Sequence, residues 1–241
     1  MVAKRFLTTL ALFGVLGFAG SSASAADAFL DRMLNIFGIT ASPGQLRGDA
    51  TVAAGQIWVA DIASGRRRAV TADATYRWPI YDYPGTGVLA LRGDALVSVS
   101  PSAPTATVVH RIPGIEKLIG FDRRDPDKIL VVMDRADAPL ASLSRKTGKL
   151  SFLPFDPKSD DHLRMLGHAR GEERVYGEIR LKVERMTRET LAGPEEWTDV
   201  LLQGAGAPSR NISDCDGTPC GQPSLSADGR QITYVRAGTD R

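Results

Sequence analysis

Between Gln56 and Val235 the chain is a series of short apolar or alternating runs cut by Gly, Pro, Asp and Ser. Runs of this length, rich in Val, Ile, Leu and aromatic residues and bounded by turn formers, predict strands. QIWVADIASGRRRAVT (Gln56 to Thr71) predicts two strands around a Ser64-Gly65 turn, and PSLSADGRQITYV (Pro223 to Val235) predicts two around Asp228-Gly229. Between these ends, PIYDYPGTGVLAL (Pro79 to Leu91) leads into ALVSVS and TATVVHRI, separated by Pro101 to Pro104. KLIGFDRRDPDKILVVM, turning at Asp125-Pro126-Asp127, leads into LASLSR and KLSFLPF around Thr147-Gly148. MLGHARGEERVYG, turning at Gly171, leads into an alternation of Val175, Gly177, Ile179, Leu181 and Val183 that predicts one long strand. A Gly193-Pro194 loop then precedes WTDVLLQ and PSRNIS. Only residues 26–39 carry helical spacing, with Phe29, Leu30, Met33, Ile36 and Phe37 on one face and Gly38 as a stop.

These runs repeat. Pro79 to Leu91 aligns without a gap on Pro223 to Val235, matching Pro79 with Pro223, Gly85 with Gly229, Val88 with Ile232 and Leu91 with Val235. With Val88, Ile129, Val175 and Ile232 taken as equivalent, the intervals are 41, 46 and 57 residues. A repeat of that length built from short strands predicts the blades of a β-propeller. The first folded segment reads as the second half of a blade and the last as the first half. Pairing the strand near Ile57-Val59 with that near Ile232-Val235 removes the two edges an open ring would expose. The expectation is an all-β fold over residues 55–241: a small propeller of about four blades, closed by terminal strands that share one blade. A ring completed by dimerisation is the structural alternative to a monomer.

The N-terminus changes the picture of compartment and charge. Lys4 and Arg5, an apolar run from Phe6 to Ala19 and small residues at Ala23 and Ala25 predict a signal peptide over residues 1–25, cut after Ala25. The apolar run is 14 residues, short of the ~20 that cross a bilayer as a helix. The expectation is therefore a periplasmic protein with no transmembrane anchor; retention as an anchor is the alternative. Residues 26–54 are expected to form the short helix and a linker. The helix docks on the ring or contacts a partner or membrane surface. Without the signal the chain holds 28 basic and 28 acidic residues, which removes any nucleic-acid footprint. Arg66-Arg67-Arg68 then reads as a solvated turn. Cys215 and Cys220, the only cysteines, are expected to pair in an exported chain. They fix the shape of a loop and contribute roughly 2 kcal/mol. His110, His162 and His168 show no ligand spacing to these thiols, and Asp214-x-Asp216-Gly217 lacks the rest of a calcium loop. No metal and no cofactor is expected.

PSLSADGRQITYV resembles the repeat of TolB-like propellers, Pro-x-x-Ser-x-Asp-Gly-Lys-x-Ile-x-Phe, and QIWVADIASGRRRAVT resembles their following hairpin. The same WD40-like repeat occurs in prolyl-oligopeptidase-type peptidases. The resemblance spans most of residues 55–237 as architecture and implies an exported propeller that binds a protein partner of the cell envelope. TolB proteins carry an α/β domain before a six-bladed ring; here a short helix stands in its place. The resemblance supplies no catalytic residue, and the chain after the signal contains no G-x-S-x-G elbow.

The leading reading is a non-catalytic protein-binding scaffold. Trp58, Trp78 and Trp197 are the anchors best suited to a partner, and the hairpin tip from Met186 to Glu196 is the candidate surface. Trp78 is expected just before the innermost strand of its blade, and Trp197 at the opening of a strand. The alternative is a propeller hydrolase acting on a small or carbohydrate substrate, with Asp82, Asp122, Arg164 and His168 at the central opening. A cluster of those side chains would favour it.

Overall fold

The computed structural model describes residues 52–82, 87–122, 125–135, 139–154, 158 and 173–238. The expected signal peptide, the helix over residues 26–39 and most of the linker lie outside them. Every regular element among the described residues is a strand, and none is a helix. The described part contains no helix long and apolar enough to cross a membrane.

Among the described residues, sixteen strands run in four consecutive antiparallel meanders. The first joins both ends of the chain: β15 (Cys220–Leu225), β16 (Gln231–Ala237), β1 (Gly55–Asp61) and β2 (Arg67–Ala69), in that spatial order. The second is β3 (Tyr76–Tyr81), β4 (Val88–Arg92), β5 (Ala95–Ser100) and β6 (Ala103–Arg111). The third is β7 (Ile115–Phe121), β8 (Lys128–Met133), β9 (Leu140–Ser144) and β10 (Leu150–Phe152). The fourth is β11 (Glu173–Tyr176), β12 (Ile179–Thr190), β13 (Gly193–Gln203) and β14 (Arg210–Asn211). One residue pair, Gly55↔Tyr76, links β1 to β3 and joins the first two meanders into an eight-stranded sheet.

The tail-to-head pairing is present. β1 and β16 match over seven residue pairs, from Gly55↔Ala237 to Asp61↔Gln231, with Ile57 opposite Val235 and Val59 opposite Thr233. Gly55 is required there by close approach, because a Cβ would lie 2.0 Å from the Arg236 carbonyl oxygen. The repeat residues that carry the sequence resemblance serve the turns. Ser226 Oγ donates to Asp228 Oδ1 at 2.6 Å, and the Gln231 amide donates back to Ser226 Oγ at 2.9 Å. Ser64 Oγ likewise donates to Asp61 Oδ1 at 2.6 Å in the β1–β2 turn. Such local side-chain bonds fix turn shape, so these polar residues are used structurally.

Among the described residues, three apolar layers lie between the meanders. Ile57, Val59 and Val70 of the first meander meet Val88, Ala90, Val97 and Val99 of the second. Leu89, Leu91 and Leu96 of the second meet Leu118, Ile129, Val131 and Leu143 of the third. Leu181 and Val200 of the fourth meet Ala60, Ile232 and Tyr234 of the first. Alternate residues of β4 thus enter different layers, and its sheet is buried on both faces. That explains why β4 and β8 read as unbroken apolar runs: an alternating strand would expose one face.

Several expectations are corrected. The alternation from Val175 to Val183 is two strands: β11 ends at Tyr176, and a Gly177-Glu178 turn leads into β12. A two-residue turn keeps the every-other-residue phase, so the pattern runs through it unbroken. Gly177 supplies the positive φ, 62°, that such hairpin turns demand. Val175 is therefore in the first strand of its meander, whereas Val88, Ile129 and Ile232 are in second strands. Gly193-Pro194 opens β13, and the turn is Leu191-Ala192. Trp78 is inside β3 instead of before it, and β6 already starts at Ala103.

Candidate functional site

Two regions hold the residues singled out by sequence. One is formed by the first strands of the meanders, β3, β7, β11 and β15; the other is the long β12–β13 ribbon and the disulfide loop beside it.

Trp78 and Gln222 occupy the same place in the repeat, each followed by proline. Proline cannot donate to the ladder, so the register skips there in both strands, between Arg77 and Ile80 and between Gly221 and Ser224. Both residues take a left-handed backbone, with φ of 52° and 55°, a conformation that costs on the order of 1–3 kcal/mol for a non-glycine residue. The two compensate each other. The Trp78 amide, freed from its ladder, donates to Gln222 Oε1 at 2.5 Å, while Gln222 Nε2 donates to the Val52 carbonyl at 2.6 Å. Trp78 is buried, and Lys117 Nζ of β7 lies 5.0 Å from its ring centroid. This indole is a packing element between strands.

Arg174 of β11 belongs to the same group. It is 5% exposed, and its Nη1 donates to the Ile119 carbonyl of β7 at 2.7 Å. Its Nε is buried with no hydrogen-bond partner among the described residues. Desolvation pushes this guanidinium below its ordinary value. No sequence signal marked it, because an arginine in a charged run reads as exposed.

The other candidates are placed as follows. Asp82, at the end of β3, forms an ion pair with Arg145. His110 Nε2 bonds the Arg145 carbonyl oxygen at 2.6 Å, which ties the second meander to the third. Asp122 is nine-tenths buried just after β7, where its amide donates to the Lys128 carbonyl at 2.9 Å. Arg164, His162 and His168 lie outside the described residues. Among the described residues no three His, Cys, Asp or Glu side chains are grouped to hold a metal.

Trp197 is half-buried on β13, with Nε1 donating to Asp199 Oδ2 at 3.0 Å and Arg188 stacked 5.3 Å from its ring centroid. Trp58 is half-buried under Arg236, and its Nε1 is also without a partner. Beyond the reach of β11 and β14, β12 and β13 continue as a two-stranded ribbon, paired from Met186↔Trp197 to Thr190↔Gly193. Leu191 at its tip is fully exposed. A free two-stranded ribbon is marginal in water. Here Arg188 braces it, bonding Glu195 across the ribbon and Asp216 of the disulfide loop, each at 2.6 Å.

Cys215 and Cys220 are bonded to each other, and both are buried. Their loop seats Asp214 and Asp216 in left-handed conformations and ties them to Arg67 and Arg188. These carboxylates are engaged by arginines. Reducing the disulfide should lower stability by about 2 kcal/mol and Tm by roughly 4–8 °C while the far-UV spectrum is kept. An unchanged melting temperature would remove this role from the bond.

No protein-family model matches the chain, and neither a curated protein nor a solved structure matches it.

Proposed function

We propose that this chain is an exported, non-catalytic protein-binding scaffold of the cell envelope, built as a four-bladed TolB-like propeller whose ends share one blade. The observation that carries the architecture is the sequential face-to-face packing of the meanders: first on second, second on third, fourth on first. The Arg174–Ile119 bond between β11 and β7 supports contact between third and fourth. Burial of the second meander on both faces and the tail-to-head pairing of the first are what a closed ring requires.

The ribbon supports the binding role. It is a two-stranded projection with polar sides, backbone edges that β11 and β14 do not cover and a leucine at its tip, braced midway by the Arg188–Asp216 contact. Extended edges recruit partner strands by main-chain hydrogen bonding. Holding the ribbon in place beforehand reduces the ordering cost of association. Asp82 is committed to Arg145, so the hydrolase alternative gains no free carboxylate at that position.

Replacing Thr187 to Glu196 by Asn-Gly keeps the Met186↔Trp197 register and removes the projection. The shortened protein should melt within a few degrees of the parent, since the removed segment is mostly exposed. It should lose the envelope protein that the full chain captures by crosslinking. Retention of every captured protein would reject the ribbon as the binding surface.

A further inference from the structure

Among the described residues the inner strands hold a buried arginine whose Nε has no hydrogen-bond partner. Most buried polar atoms in folded proteins find a partner, and each exception calls for an explanation such as a missing ion or ligand. Arg174 is 5% exposed and is fixed at one end only, by Nη1 on the Ile119 carbonyl. A neutral carbonyl satisfies one donor but leaves the charge uncompensated. Nε has no partner. In the planar guanidinium Nε–H and one Nη2–H lie side by side on the edge away from Nη1, and that edge matches the two oxygens of a carboxylate.

We infer that Arg174 is the anchor of a carboxylate-binding site at the inner strands, with the Nε/Nη2 edge receiving the anion and Ile119 holding the guanidinium in orientation. The site is built from two different meanders, so the fork is positioned by the sheets and not by a mobile loop. A single edge with a single positive charge fits a planar monoanion better than a phosphate, whose second charge would need another cation. Burial strengthens the pairing, because water competes poorly for a group withdrawn from it. The ligand class is therefore a small carboxylic acid in its ionised form. This inference does not depend on the ribbon: the ribbon can fail as a docking surface while the arginine still binds.

The test is thermal melting of the full chain in sodium acetate, against sodium chloride at the same ionic strength, with neutral acetamide and sodium phosphate as parallel arms. Acetate at ten times its Kd should raise Tm by about 3–5 °C and saturate, while acetamide should do nothing. Arg174→Met, which removes an unpaired buried charge, should fold at least as well as the parent and show no acetate response. A second readout needs no stable variant. The Nε–H resonance of Arg174, identified by its absence from an Arg174→Lys spectrum, should shift saturably with acetate. Absence of any saturable response to acetate in the parent protein, or an equal response in Arg174→Met, would overturn the site. A larger response to phosphate than to acetate would overturn the carboxylate assignment.

Discussion

A chain that stops at Arg230 should show no cooperative thermal transition by near-UV circular dichroism. The missing strand, β16, lies between β15 and β1 and is bonded to both. Its loss leaves each neighbour with an unpaired edge, and the first meander falls into two halves that no longer touch. Ile232, Tyr234 and Val235 are at most 1% exposed, and the first two belong to the apolar layer between the first and fourth meanders, which goes with them. Burying such side chains is worth about 1.5–3 kcal/mol each, so three approach the roughly 5–15 kcal/mol that holds a whole domain together. The single substitution Tyr234→Ala isolates the packing part and should cost about 3–5 kcal/mol in urea denaturation. A truncated chain that still melts cooperatively would mean the seam is dispensable.

Asp199→Ala should be the most damaging polar substitution, lowering stability by about 3–5 kcal/mol. Asp199 is 2% exposed and receives four donors. Ser213 Oγ and the Cys215 amide reach Oδ1 at 2.8 and 2.6 Å, while Trp197 Nε1 and Asn211 Nδ2 reach Oδ2 at 3.0 and 2.9 Å. Ser213 Oγ in turn accepts from the Val200 amide at 2.8 Å. One carboxylate thus connects the base of the ribbon, β14 and the disulfide loop. Its removal strands several buried donors at once, and leaving such groups unmet costs more than a net hydrogen bond gains. Asp199→Asn should lose about half as much, because it keeps one acceptor oxygen and turns an amide toward donors at the other. Equal stability of Asp199→Ala and the parent in urea would show that the network carries no net energy.

Asp199 also shows where reading residues in order falls short. Within WTDVLLQ it looks like an outward position of an amphipathic strand. Its donors come from positions 197, 211, 213 and 215, and only the return of the chain through β14 brings them together. Arg174 is a similar case, since the carbonyl it meets is 55 residues earlier. Trp78 reads as an anchor for a partner, yet it takes a left-handed backbone before proline and its indole is buried. The ribbon is legible only in part: the alternation from Val175 to Val183 runs through a turn, and Trp197, expected at the opening of a strand, lies inside β13. Where the turn residues are local, as in the Asp61-Ser64 and Ser226-Asp228 loops, the hairpins expected from sequence are present.

Most strands were legible in the sequence alone, from short runs, turn residues at close spacing, and two half-repeats that pair tail to head. These rest on local sterics and on burial of each strand face, which are written in neighbouring residues. The tertiary structure decided the rest. It set the phase of the fourth meander, because a two-residue turn leaves the alternation intact and so leaves no mark in the pattern. It also assigned the polar residues their partners, since a buried charge is satisfied by atoms distant in sequence. The acids in the repeat motif close turns; the acid and the arginine that hold the sheets' polar interior carry no motif at all.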